Sequence, residues 1–200
     1  MSVSIAKELL AQASDEPDRF RRHMLVAAAM REALSHEPVV VGGTAQDFYT
    51  GAVYVETDLD LVGWVAPDEE GLLRDLGFTK TGRHWFHSAS KIAVEFLEGT
   101  IAGDKTRILH MPVGSGSAGI VGVEDLYLDR IRQTTMYPPG SEPTEFKGAV
   151  AVAVAAYEDF DWKYVDKEIK TTEENDPSLG KDMREVHNRA RRRLLFELKR

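Results

Sequence analysis

The chain contains no cysteine, so disulfides, thiolate nucleophiles and cysteine-based zinc sites are excluded. No apolar run approaches the roughly 20 residues that a membrane-spanning helix needs. The start, MSVSIAKELLAQ, lacks the basic and then apolar pattern of a secretory signal peptide. Basic residues are in the minority, since 25 Lys and Arg stand against 33 Asp and Glu and give a formal charge of −8. We therefore expect a cytoplasmic protein that does not bind membranes and has no extensive nucleic-acid-binding face.

The arrangement of apolar residues predicts an α/β (α+β) protein with a short mixed sheet flanked by helices. Helical spacing dominates residues 1–36, short strands and turns dominate 37–121, and helical patterns return in 122–200. The stretch EFKGAVAVAVAAYEDF alternates like a strand, but its alanine content favours a helix. GSGSAG, residues 114–119, is typical of a flexible loop. The arginine-rich end, HNRARRRLLFELKR, predicts an amphipathic helix with Leu194, Leu195 and Leu198 packed inward.

The segment VVVGGT predicts a short strand that turns sharply into the start of a helix. Gly42 and Gly43 would let backbone N–H groups approach a ligand without interference from a Cβ atom, and Thr44 would cap the helix or add a hydroxyl. A helix N-terminus favours phosphate. The alternative is a turn that merely ends the strand.

Two aspartates with one residue between them follow in DLDLVGWV. On a strand, Asp58 and Asp60 would point to the same face, roughly 6.5–7 Å apart at the backbone, with Leu59 and Leu61 on the other face. Such a pair could converge on a hard cation, and Mg²⁺ prefers carboxylates, its own waters and substrate phosphates. The alternative is a solvated strand face.

A third carboxylate is expected from KIAVEFLE. In this predicted strand Ile92, Val94 and Phe96 would face one side, while Glu95 would face the other with Ala93. If the strand lies beside that of the two aspartates, three carboxylates share one patch and repel each other strongly without a cation. The arrangement would suit metal-assisted transfer of a nucleotidyl group. On an edge strand, Glu95 would instead be harmlessly exposed.

These motifs together resemble the nucleotidyltransferase superfamily, which has the DNA-polymerase-β-like fold. Gly42, Gly43, Asp58, Asp60 and Glu95 match its diglycine, D-x-D and later acidic strand in order. The stretches LGFTKTGRHWFHSASKIAVEFLEGTIAGDKTRI and VGVEDLYLDRIRQ are further similar to small prokaryotic members, like those found in toxin–antitoxin systems. The similarity covers residues 39–170, about two thirds of the chain.

The resemblance implies a phosphate-contacting basic residue after the acidic strand. Arg130, in LDRIRQ, is the best match, and Arg83, in GRHW, is a second candidate. Arg130 could instead be a helix-surface charge paired with Glu124 or Asp125.

The expected activity is transfer of an NMP from an NTP to an unidentified hydroxyl acceptor on RNA, protein or a small molecule. Asp58, Asp60 and Glu95 would be the catalytic residues that hold Mg²⁺ or Mn²⁺, and Gly42, Gly43 and Thr44 would hold the β- and γ-phosphates. In this scheme residues 37–121 are the nucleotidyltransferase core. One alternative is a catalytically silent module that binds either nucleotide or the cognate protein partner of a two-gene regulatory system. Another is a metal-dependent phosphohydrolase.

Overall fold

Strands and helices alternate along the first 120 residues of the computed structural model, and helices follow to the end. The structure describes residues 2–51, 58–97, 99, 101 and 103–199. Glu98, the last residue of the strand predicted in KIAVEFLE, lies outside them. The helices are α1 Val3–Asp15, α2 Arg19–Ala33, α3 Gly42–Thr50, α4 Glu70–Asp75, α5 Val123–Thr134, α6 Thr144–Ala155, α7 Trp162–Asn175 and α8 Pro177–Glu197. The strands are β1 Val39–Val40, β2 Asp58–Val62, β3 Phe78–Thr81, β4 His84–His87, β5 Ile92–Leu97, β6 Leu109–Val113 and β7 Gly116–Ile120.

The contacts divide the chain into two compact units. Unit 1 contains Met1–Ile101 and Lys105–Val121, and unit 2 contains Ala102–Asp104 and Gly122–Arg200. Within the described part of unit 1, seven strands form one mixed sheet in the order β3-β4-β5-β2-β1-β7-β6. The predicted α/β fold with a mixed sheet and flanking helices is confirmed.

The sheet has one apolar face, which we call the core face. It carries Leu59, Leu61 and Val94, all at 0% exposure. Helix α2 packs against β7 and α1 packs against α2, so these helices contribute apolar side chains to the core of unit 1. The opposite face carries the polar residues of β2 and β5 and is called the carboxylate face.

The loop predicted for GSGSAG is wrong, because most of it is strand β7. This strand runs from Gly116 to Ile120, parallel to β1 and antiparallel to β6. Its small residues serve close packing: a Cβ added at Gly116 would lie 3.1 Å from a methyl group of Leu9 in α1. Composition predicted flexibility here, but the missing side chains allow a helix to approach the sheet.

Unit 2 is a bundle of α5–α8 with a polar core contact. The buried hydroxyl of Tyr127 lies 3.0 Å from Nδ1 of buried His187. The helix predicted for EFKGAVAVAVAAYEDF is confirmed as α6. The expected inward packing of the last helix is only partly right, because Leu194 is buried whereas Leu195 and Leu198 are exposed. None of the helices in the described ranges is long and apolar enough to cross a bilayer.

Candidate functional site

The acidic residues of β2 and β5 lie side by side on the carboxylate face. The two strands pair in parallel with Asp60 opposite Glu95, and Asp58 lies two residues earlier on β2. Because side chains alternate across a strand, all three carboxylates share one face. Leu59 and Leu61 anchor the other face of β2 in the core, so a shift of register by one residue would bury both aspartates. The apolar pattern of β2 therefore fixes where the aspartates point.

Gly42 brings the start of α3 against one of these carboxylates. It has φ of +63°, and the helix begins at this residue without a side-chain cap. A Cβ added to Gly42 would lie 2.4 Å from Oδ2 of Asp60. The backbone N–H of Val41 also donates to the Asp60 carbonyl at 3.1 Å. Only a glycine permits both this backbone conformation and this approach.

The first turn of α3 contains Gly42, Gly43 and Thr44. The predicted cap at Thr44 is wrong, since the left-handed φ of Gly42 turns the chain directly from β1 into the helix. The first N–H groups of a helix have no acceptor within it, so this turn presents donors near Asp60. Thr44 is 2% exposed, and its hydroxyl lies 3.3 Å from Nδ1 of His23. The side chain of Thr44 therefore contacts His23 and supports the turn, whereas its backbone N–H belongs to the first turn of α3.

His23 is a buried titratable residue behind this turn. Burial lowers its pKa to about 4, with a further decrease from Arg19 and Arg22 and a small opposing effect of Asp58. Its Nε2 has no hydrogen-bond partner within the described part of the chain. The imidazole is therefore neutral at pH 7 and adds no positive charge beneath the carboxylates.

Glu95 is held by two basic side chains. Nε of Arg83 lies 3.1 Å from Oε1, and Nε2 of His84 lies 3.3 Å from Oε2. His84 also lies 3.8 Å from Oδ2 of Asp58 and thus sits between the two acids. Among the described side chains, no three His, Asp or Glu residues are already arranged to close on one metal ion. The carboxylates share a face, but Glu95 is already paired with the guanidinium group of Arg83 and contacts the imidazole of His84.

The two predicted phosphate-binding arginines lie in different units. Arg83 directly precedes β4 in unit 1, and its side chain, apart from the contact with Glu95, is 74% exposed. Arg130 lies on α5 in unit 2, where Nη1 donates to Oε1 of Gln133 at 3.1 Å. The suggested partners of Arg130 are engaged elsewhere: Glu124 accepts from the backbone of Asp161, and Asp125 accepts from a tyrosine hydroxyl. Within the described part of unit 1, Arg83 lies beside Glu95 of the acidic cluster.

Sequence reasoning missed two histidines of this site. His84 was not assigned to the site, although its strand is the neighbour of β5 and the pairing sets it opposite Glu95. The sequence predicts two strands here, joined through Ser88 to Ser90, and the register of their pairing would have indicated His84. His23 comes from α2, far from the motif in sequence, and no local pattern indicates its contact with Thr44.

Comparisons with known proteins show the fold. No protein-family model matches the chain. No curated protein matches it either. An antigenic nucleotidyltransferase-like protein from Paracoccidioides brasiliensis is similar in structure, with 10% identity, a TM-score of 0.49, and coverage of 92% of this chain and 94% of that one. The antibiotic-resistance factor ANT(2'')-Ia shares 14% identity, with a TM-score of 0.50 and coverage of 84% and 95%.

At these identities the second likeness shows a common fold and nothing about substrate. Neither comparison concerns a toxin–antitoxin pair, so that part of the resemblance stays a prediction.

Proposed function

We propose that the chain is a metal-dependent nucleotidyltransferase that moves an NMP from an NTP to a hydroxyl acceptor. One observation carries this proposal: Asp60 is in register with Glu95 and at the same time lies against Gly42 at the start of α3. A cluster of acids and a row of backbone donors thus meet at one point. Nucleotidyl transfer requires both, because the triphosphate and its counter-ion must bind together.

The donor set suits a hard divalent cation. Asp58, Asp60 and Glu95 are oxygen ligands on one face of a rigid sheet, which are the ligands that Mg²⁺ and Mn²⁺ take. Asp58 and Asp60 would hold the ion, and Glu95 would join them once its contact with Arg83 is released. A bound ion would supply positive charge to the phosphates and to the attacking oxygen.

The protein groups around the acids have separate tasks. The backbone N–H groups of Gly42, Gly43 and Thr44 would donate to the β- and γ-phosphates. Arg83, released from Glu95, would contact the same phosphates with its mobile guanidinium group. The acceptor oxygen would attack the α-phosphorus, the bond from that phosphorus to the bridging oxygen would break, and pyrophosphate would leave. Glu95 would take the acceptor proton.

The contacts of Glu95 favour a second candidate, a nucleotide-binding module without catalysis. Glu95 has the Arg83 guanidinium and the His84 imidazole as partners within the protein, so it has a counter-charge without a bound ion. Such a module would bind NTP at α3 and leave it intact. Calorimetry with each NTP, with and without Mg²⁺, combined with assays of pyrophosphate and phosphate release, separates the two candidates. Metal-dependent binding without any release would favour the module, and release of inorganic phosphate alone would indicate hydrolysis.

The test of transfer is a double substitution, Asp58→Asn with Asp60→Asn. The matched control is Asp68→Asn with Asp75→Asn, two exposed aspartates of the same unit. Protein is incubated with α-labelled NTP, Mg²⁺ and fractions of RNA, protein and small molecules. The wild type and the control should label one fraction, and the site variant should label none while its circular dichroism stays unchanged. Equal labelling by the site variant would reject the mechanism.

A further inference from the structure

A cavity lies on the carboxylate face, farther along β2 than the two aspartates. Its volume is about 380 Å³, within the range of small-molecule sites. All of its lining residues belong to unit 1. The floor contains Val62, which follows Asp60 by two residues and points the same way, and Val39, its partner on β1. The cavity therefore adjoins the candidate site on the same surface of the sheet.

An aromatic stack forms one wall of this cavity. The rings of Trp64 and His36 lie parallel, with centroids 4.0 Å apart and an angle of 3° between their planes. The backbone N–H of Trp64 donates to Nε2 of His36 at 3.2 Å, which fixes the imidazole. Burial lowers the pKa of His36, so this ring is neutral at pH 7. Trp64 nevertheless stays 49% exposed. A rigidly mounted indole with so much accessible area offers a stacking surface for another flat ring.

A fixed carboxylate forms the polar part of the cavity. Oε1 of Glu37 lies 2.9 Å from Nε of Arg31 and 2.9 Å from Nε2 of His110. Both of these contacts are made by Oε1 and not by Oε2 of Glu37. A carboxylate oriented through one oxygen can accept with the other from an N–H group of a ligand.

We propose that this cavity binds a planar heteroaromatic ring that carries an N–H donor, the chemistry of a nucleobase. The ring stacks on Trp64, and its N–H group donates to Oε2 of Glu37. The apolar floor of Val39 and Val62 offers no partner to a charged group, so ligands without an apolar surface are excluded. The ring belongs either to the NTP or to a separate acceptor molecule. Only the assignment to one of these sources rests on the proposed nucleotidyl transfer.

The test uses adenosine, guanosine, cytidine and uridine as probes, without metal and without triphosphate. Ribose serves as the probe that has no ring of this kind. Saturation-transfer NMR and calorimetry are recorded for the wild type, Trp64→Ala, Trp64→Phe and Glu37→Gln. The matched control is Phe86→Ala, since Phe86 is an exposed aromatic residue of the same sheet that does not line the cavity.

The expected result is saturation transfer to the base protons of at least one nucleoside and none to ribose. Trp64→Ala should weaken binding by about 5- to 150-fold, the range for loss of one base-stacking contact. Trp64→Phe should weaken it less, Glu37→Gln should change the preference among bases, and Phe86→Ala should bind like the wild type. Two results overturn the proposal: no nucleoside binds the wild type, or folded Trp64→Ala and Glu37→Gln both bind as the wild type does.

A competition arm distinguishes the two sources of the ring. If the base of the NTP occupies the cavity, saturating ATP displaces the nucleoside. If the ring belongs to an acceptor, ATP and the nucleoside bind together. Absence of nucleotidyl transfer by the wild type would refute the proposed function but would leave nucleoside binding at Trp64 unaffected, so the two failures are distinguishable.

Discussion

Replacement of Gly42 by alanine tests the contact between the helix start and the acidic cluster. Helix α3 has a glycine with a left-handed backbone at each end, Gly42 with φ of +63° and Gly51 with φ of +62°. A Cβ at Gly42 would lie 2.4 Å from Oδ2 of Asp60, whereas a Cβ at Gly51 would meet none of the described atoms within 4 Å. Gly51→Ala is therefore a control with the same backbone penalty and no clash.

The two variants should differ in stability by the cost of the clash alone. The left-handed conformation costs a non-glycine residue about 1–2 kcal/mol, and both variants lose this amount. In a chain of 200 residues that is a decrease of about 2–8 °C in Tm. Gly42→Ala should lose roughly 1–3 kcal/mol more, because a crowded site must shift to admit the methyl group.

The variants should also differ in activity. The carboxylate of Asp60 must move by about 1 Å to escape the new methyl group, and a displacement of that size in an active site can cost about 100-fold in rate. Gly51→Ala should retain the wild-type rate. Urea unfolding followed by circular dichroism and transfer of labelled nucleotide measure the two effects. If both variants have the same stability and the same rate, the approach of Gly42 to Asp60 does not shape the site.

Three further predictions concern the surroundings of the site and unit 2. Arg83→Ala should change the free energy of unfolding by less than about 1 kcal/mol, since the side chain is mostly exposed, yet it should raise the KM for NTP in steady-state kinetics. Burial lowers the pKa of His23 to about 4 in the folded chain. Between pH 6.5 and pH 4, His23 is therefore protonated in the unfolded chain and neutral in the folded chain. The free energy of unfolding therefore falls as the pH falls through this window, by about 2 kcal/mol at pH 5. His23→Gln should remove this decrease, which urea unfolding at pH 7.5 and pH 5 measures. Gly180→Ala should destabilise unit 2 by roughly 1–3 kcal/mol, because its Cβ would lie 2.4 Å from the backbone of α7, while Gly71→Ala, a helical position with free space around it, should stabilise by about 0.5–1 kcal/mol in thermal unfolding.

Each of these predictions has a contradictory outcome. An unchanged KM for Arg83→Ala would remove that residue from phosphate binding. An equal loss of stability at low pH with and without His23 would place the responsible groups elsewhere, and His187, whose pKa burial also lowers to about 4, is the first candidate. Equal effects of the two glycine substitutions would mean that α7 and α8 adapt to the added methyl group.

Strand periodicity was sufficient to predict the faces of β2 and β5. Leu59 and Leu61 must be buried, so Asp58 and Asp60 must point the other way, and the same argument applies to Glu95. The sequence did not determine that the two strands are neighbours. That adjacency is a long-range pairing, which no local pattern encodes, and the structure supplies it.

Contacts between distant segments were beyond sequence reasoning. The motif suggested that the hydroxyl of Thr44 contacts a ligand, but this hydroxyl lies against the imidazole of His23 on α2. Arg83, a candidate for phosphate contact in the sequence, is paired with Glu95 because β4 is the neighbour of β5. The glycines of β7 looked like a linker, since composition does not distinguish flexibility from close packing. In each case the deciding contact comes from a segment that is distant in sequence, so the local pattern could not indicate it.

The most direct measurement is diffraction from crystals grown with Mn²⁺ and a non-hydrolysable ATP analogue. The account predicts an anomalous peak about 2.1 Å from carboxylate oxygens of Asp58 and Asp60, with the triphosphate against the N–H groups of Gly42 and Gly43. Arg83 should then have left Glu95. Bound nucleotide away from α3, with Mn²⁺ absent from both aspartates, would contradict the proposed function.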